Sequence, residues 1–203
     1  MYTQQEIKLF KKLDSPKKIQ DFLTFKIKHN RAQDGIDIRS PRQVLKLRKA
    51  HCVEGALLAA AILEFHGQKP LLLDLRAVNE DLDHVVCLFK QFGCWGAISK
   101  TNHVVLRYRE PIYRTIRELA LSYFHEYFLD SGKKTLREYS APININNYKK
   151  TDWRISEKDL GDVAEWIDEQ KHFKMLSKVQ QKNLRKADKI EINAGKIVEE
   201  FLE

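Results

Sequence analysis

Three side chains offer chemistry in this sequence: Cys52, His84 and Ser99. The thiolate, not the thiol, is the nucleophilic form of cysteine, and a free cysteine is mostly protonated at neutral pH. A helix N-terminus and a neighbouring imidazolium both stabilise the thiolate. Cys52 heads the most apolar run in the chain, where its own backbone N–H can also face an oxyanion. His84 stands in DHVVCLFK, a strand-like run able to hold an imidazole beside the sulfur.

A third group must fix the orientation of such a ring, and Ser99 is placed for it on the next strand-like run. A four-residue connection at Lys90–Gly93 sets His84 opposite Ser99. A two-residue turn at Phe92-Gly93 sets it opposite Thr101. Both partners belong to one sheet face, because strand side chains alternate. Asp83 adjoins His84 but projects to the other face, so it is not counted as a substitute for Ser99.

The elements that must position these groups follow from periodicity and punctuation. Gln4–Lys12 reads as a short helix. Ser15-Pro16 supplies an N-cap and a first-turn proline for a second helix, with Ile19, Phe22, Leu23 and Ile27 on one face. A loop broken at Asp34-Gly35 follows, and Ser40-Pro41 starts another helical turn. The run from Cys52 through Ala56–Leu63 to Phe65, stopped by Gly67, has the length and alanine content of a buried central helix.

Beyond Gly67 and Pro70, LLLDLRAV, DHVVCLFK and CWGAISK read as antiparallel strands packed on that helix, with VVLRYRE as one more. Residues 111–130 read as helix, with Ile112, Ile116, Leu119, Ala120 and Phe124 on its buried face. The Asn- and Pro-rich stretch near 140–154 marks a boundary. The expected organisation is an α+β domain over 1–150 and a helical extension over 151–203, packed on the core or on a second copy. In that extension Ser156 and Asp159 read as a capping box, and helices are expected around Leu176–Ile190 and Gly195–Leu202.

Composition narrows the function classes. With 43% hydrophobic and 32% charged residues the 203-residue chain can build a real core. Three cysteines cannot all pair within one chain, which disfavours a secreted disulfide scaffold. The N-terminal stretch lacks the uninterrupted apolar run of a signal peptide, and no segment reads as a membrane span, so a cytoplasmic location is expected.

The net charge of +8 resides in residues 1–155, since 156–203 hold slightly more Asp and Glu than Lys and Arg. The cations are dispersed, and no helix–turn–helix, RNP-type or finger signature is present. Nucleic acid is therefore not the expected partner, although LRYREPIYR interleaves arginine with aromatic residues. A zinc reading of His84, Cys87 and Cys94 fails on parity, because His84 and Cys87 fall on opposite faces of one strand. No Gly-rich phosphate loop is present, so neither a metal nor a cofactor is expected.

The order of a cysteine at a helix start, an apolar helix, a glycine, a strand, a histidine on a strand and then a tryptophan resembles the transglutaminase-like superfamily, with its papain-like fold. Here it reads HCVEGALLAAAILEFHGQKPLLLDLRA, DHVVCLF and WGAISKTNH, covering about residues 45–103 as a divergent, bacterial-type member. The resemblance implies a Cys-bearing helix on an antiparallel sheet, flanked by N- and C-terminal helices. It also implies acyl transfer or amide hydrolysis on a peptide or amide-containing substrate, with Cys52 as nucleophile and His84 as base. Ser99 stands four residues after Trp95, where that family has Asp. A catalytically degenerate fold serving as a protein- or nucleic-acid-binding module is the alternative.

Overall fold

The computed structural model describes residues 1–30 and 38–199. The loop expected around Asp34-Gly35 and the end of the stretch expected to reach Leu202 lie outside the described residues.

Sharp N-terminal caps set the first helices. Thr3 accepts from the Glu6 amide and Glu6 reaches back to the Thr3 amide, opening α1 (Gln4–Lys12). Ser15 caps α2 (Pro16–Lys26), which has proline in its first turn. A short parallel pair, β1 (Lys28–His29) and β2 (Lys49–Ala50), brackets α3 (Pro41–Leu47), opened by Ser40. Then comes α4 (Cys52–Phe65), in which every residue from Val53 to Leu63 is buried. A helix apolar on all sides needs partners on all sides. It finds α2 and α3 on one side and the main sheet on the other.

That sheet is antiparallel and α+β in character, as expected. Its strands are β3 (Leu71–Arg76), β4 (His84–Gln91), β5 (Cys94–Ile98), β6 (Arg109–Tyr113), β7 (Glu138–Ser140), β8 (Ile143–Asn144) and β9 (His172–Lys174). The order is β6-β5-β4-β3-β7-β9, with β8 also pairing with β3. Helix α5 (Ile116–Leu121) packs on the far face. Three short helices lie in the C-terminal part: α6 (Gly161–Asp168), α7 (Lys178–Lys182) and α8 (Lys189–Gly195).

The pleat sorts the core into two clusters. Val85, Cys87, Phe89, Leu72 and Ile98 pack with α4, whereas Val86, Leu88, Leu73, Leu75 and Ala97 pack with Leu119, Ala120 and Tyr123. Two-sided burial explains why β4 reads as a continuous apolar run rather than an alternation.

Several expectations are corrected. The strand expected at VVLRYRE begins only at Arg109 and runs on to Tyr113, so the helix expected from residue 111 starts at Ile116 and ends at Leu121. Ile112, expected on a buried helix face, is 68% exposed on the edge strand. No capping box opens at Ser156: α6 starts at Gly161, and Asp159 Oδ1 accepts the amides of Gly161 (3.1 Å) and Ile38 (2.6 Å). The long helix expected over Leu176–Ile190 is two short ones, broken at Asn183 and recapped by Asp188. The C-terminal part also supplies β9 to the sheet, and Trp153, Leu160, Val163 and Ile167 to the core around α4.

Candidate active site

A buried carboxylate holds the start of α4. Glu54, with no side-chain exposure, accepts from the His51 amide at 2.8 Å and from the Arg39 amide at 3.0 Å, and pairs with the Arg39 guanidinium at 3.2 Å. It is the third-position glutamate of the helix reaching back to the cap amide, so it satisfies a donor that the helix itself leaves open. Cys52 is thereby fixed as the first residue of α4.

The β4–β5 ladder runs from Gln91↔Cys94 to Cys87↔Ile98 and stops. A two-residue turn joins the strands, with Phe92 (φ 53°) and Gly93 (φ 75°) both left-handed. Past Ile98 the chain leaves β4, and the first turn of α4 abuts it there. A Cβ on Gly55 would stand 2.4 Å from Lys100 Cβ, so only glycine permits this approach. The amides of Val85 and Val53 lie close enough to the Cys52 sulfur to favour its thiolate. Thus Cys52 meets the sheet at the backbone of the residue following His84.

His84 and Ser99 come together at this open end. The two-residue turn makes Thr101 the formal partner of His84, but the ring reaches diagonally along the shared face to Ser99, with Nε2 2.8 Å from Oγ. The Ser99 hydroxyl donates its single proton to Leu106 O at 2.7 Å. It must therefore accept from His84, which places the ring proton on Nε2 and leaves Nδ1 bare. The ring also meets Tyr123 edge-on at 6.4 Å, on the face of Val86 and Leu88. Among the described residues no hydrogen bond joins Cys52 to His84.

Sequence reasoning missed the clamp on Ser99. Gln20, nearly buried on α2, donates from Nε2 to Ser99 O and accepts the Ser99 amide on Oε1, each at 2.9 Å. These two bonds replace the ladder partner that Ser99 loses where β5 ends. A polar residue on the inner face of an amphipathic helix was the available signal.

The electrostatics differ from the expected ion pair. Burial raises the Cys52 thiol, aided by the Asp74 charge and opposed by the nearby amides. Burial also pushes His84 down to about 4, against the pull of the Leu106 carbonyl. Both shifts favour a neutral thiol and a neutral imidazole at rest, because desolvation outweighs the helix terminus here.

Other candidates are placed elsewhere. Gln43 is engaged in the α3 cap and with Glu157 O. Asp83 accepts the Ala77 amide at 2.7 Å and does not serve His84. His84, Cys87 and Cys94 form no metal-sized cluster among the described residues. Lys100, buried beside Gly55, pairs with Glu199 at 2.9 Å. Among the described residues no helix is long and apolar enough to cross a membrane.

Set against known protein families and against characterised proteins, the chain finds no match.

Proposed function

We propose that this chain is a cysteine-dependent hydrolase or acyltransferase with a transglutaminase-like, papain-related core, acting on an amide or peptide bond through an acyl-Cys52 intermediate. The reading is supported chiefly by the placement of Cys52 at the start of α4 against the amide of Val85, the residue after His84, and by the hydrogen bond that orients the His84 ring on Ser99.

In the first half-reaction the thiol proton passes around the open end of the sheet to His84 Nδ1 as Sγ bonds to the substrate carbonyl carbon, and the carbonyl electron pair moves onto oxygen. The intermediate collapses, the C–N bond breaks, and the leaving amine takes the proton back from Nδ1. A thioester remains on Cys52. In the second half, water or an amine gives a proton to Nδ1 and attacks the thioester carbon. The thiolate leaves and is reprotonated. Because the resting pair is uncharged, His84 acts as a general base during attack rather than as the partner of a preformed thiolate.

The test uses an aryl ester as a generic acyl donor, with the acyl group mapped by mass spectrometry of proteolytic fragments. Acylation at Cys52, lost in Cys52→Ala and strongly slowed in His84→Ala, is the expected result. Acylation spread over lysines and indifferent to both substitutions overturns the enzymatic reading.

One observation favours the second reading, a catalytically degenerate binding module. Ser99 brings no charge to stabilise an imidazolium, and the His84 ring is already held low. That reading predicts no acyl-enzyme with any donor.

A further inference from the structure

A cluster of carboxylates lies on the α4 face of the sheet, and one of them, Asp74, also acts on the Cys52 thiol. Asp74 of β3 is 2% exposed, whereas Asp83, just before β4, and Asp168, the last residue of α6, are exposed. Each offers an oxygen, and these oxygens all lie within 4.8 Å of one another. Two oxygens across a calcium ion, each at about 2.4 Å, stand about that far apart.

The second observation concerns Asp74 alone. Its Oδ2 accepts from His172 Nε2 at 3.0 Å, but its Oδ1 is buried with no hydrogen-bond partner. An unpaired buried acceptor costs about 1–3 kcal/mol, so a native fold that keeps one usually supplies a partner from outside the chain.

The surrounding hydrogen bonds leave oxygens free. Asp83 Oδ1 is taken by the Ala77 amide, and Asp168 Oδ1 by the Arg76 guanidinium at 2.6 Å. The second oxygen of each remains.

The charge balance points the same way. Among the described residues, Asp74, Asp168 and Glu138 make their ion pairs with Arg76 and His172. With Asp83, four carboxylates against Arg76 and His172 leave a negative excess whether or not His172 is protonated, and one divalent ion offsets it. An all-oxygen donor set selects a hard cation over zinc or copper.

We propose that Asp74, Asp83 and Asp168 form a binding site for one hard divalent cation of calcium size, with the orphaned Oδ1 of Asp74 as its buried anchor. The proposal rests on the carboxylate geometry and not on the cysteine chemistry, although Asp74 also acts on the Cys52 thiol.

Calcium chloride titrated into the chelator-treated full chain, followed by isothermal calorimetry, tests this. The expected result is one saturable site per chain, with affinity falling at least about tenfold in Asp83→Asn and in Asp168→Asn. Both residues are exposed, so the variants are expected to fold, and circular dichroism checks it. Glu80→Gln, which removes an exposed acid paired with Lys133 elsewhere, leaves binding unchanged. No saturable uptake up to about millimolar calcium, the weak end for protein sites, overturns the proposal. Uptake that survives both aspartate substitutions overturns it equally.

Discussion

Ser99 Oγ stands 2.8 Å from Nε2 of His84 and passes its own proton to the Leu106 carbonyl. This single hydroxyl sets the tautomer of the buried imidazole, which is the orienting role without the charge of a carboxylate. Ser99→Ala leaves the Nε2–H without that acceptor, and Cys52 acylation is expected to fall about tenfold or more. Ser99→Asp introduces a negative charge beside the ring and raises its pKa. The acid limb of the acylation profile should move up by a unit or more in that variant, read from rates between about pH 4 and about pH 8.

Gln20 tests whether the backbone position of Ser99 matters. Gln20→Ala removes both bonds to the Ser99 amide and carbonyl at a buried site. A loss of about 2–6 kcal/mol is expected, since each of the two orphaned groups costs about 1–3 kcal/mol. Urea denaturation measures it. Acylation should also fall, and Gln20→Glu, which keeps the acceptor but not the donor, should be intermediate in stability.

Gly55 sets the approach of α4 to the segment after β5. In Gly55→Ala the new methyl carbon would lie 2.4 Å from Lys100 Cβ, far inside contact distance, and one neighbour must move. The expected destabilisation is about 1–3 kcal/mol, the usual range for overpacking. Lys100→Ala keeps its own Cβ and so should not relieve it, whereas Lys100→Gly in the same chain should. Chemical denaturation of the double variant decides between these outcomes.

Burial of neutral His84 has a consequence for stability. Its folded value of about 4 lies below the unfolded value near 6.5. The unfolded chain therefore binds a proton that the folded chain refuses. The contribution is fully present above about pH 6.5 and is lost as pH falls towards about 4, amounting to roughly 3 kcal/mol. His84→Gln should flatten this part of the stability curve, measured as unfolding free energy against pH. A curve of unchanged slope would show that the ring titrates freely.

Much of this fold was legible in the sequence because local signals were strong. Ser-Pro pairs at residues 15–16 and 40–41 mark helix starts, and the alanine-rich run at 56–63 suits only a buried helix. Of the two hairpin registers open from the sequence, Phe92-Gly93 realises the two-residue turn. Less legible was whatever depends on distant partners. Ile112 fits a helical stripe in sequence but lies on an edge strand, since pairing with β5 overrides the weaker local preference. The strand β9 is too short to show a period and exists only because β7 offers it an edge. The site was legible as residue types and order, and the diagonal reach of His84 to Ser99 follows from shared parity. Its charge state was not, because desolvation by two clusters of side chains leaves no mark in the local sequence. Gln20 and Glu54 escaped for the same reason, as their partners lie across the fold.

The central claim is that His84 serves Cys52 as a general base within an uncharged resting pair. The pH dependence of Cys52 acylation by an aryl ester, in a Cys87→Ser, Cys94→Ser background with and without His84→Ala, tests it most directly. The wild-type rate is expected to rise with an inflection near the His84 value of about 4 and then to stay level through neutral pH. The His84→Ala protein, left with the thiolate alone, should instead climb steadily with pH and remain slower at neutrality. Superimposable profiles for the two proteins would contradict the account.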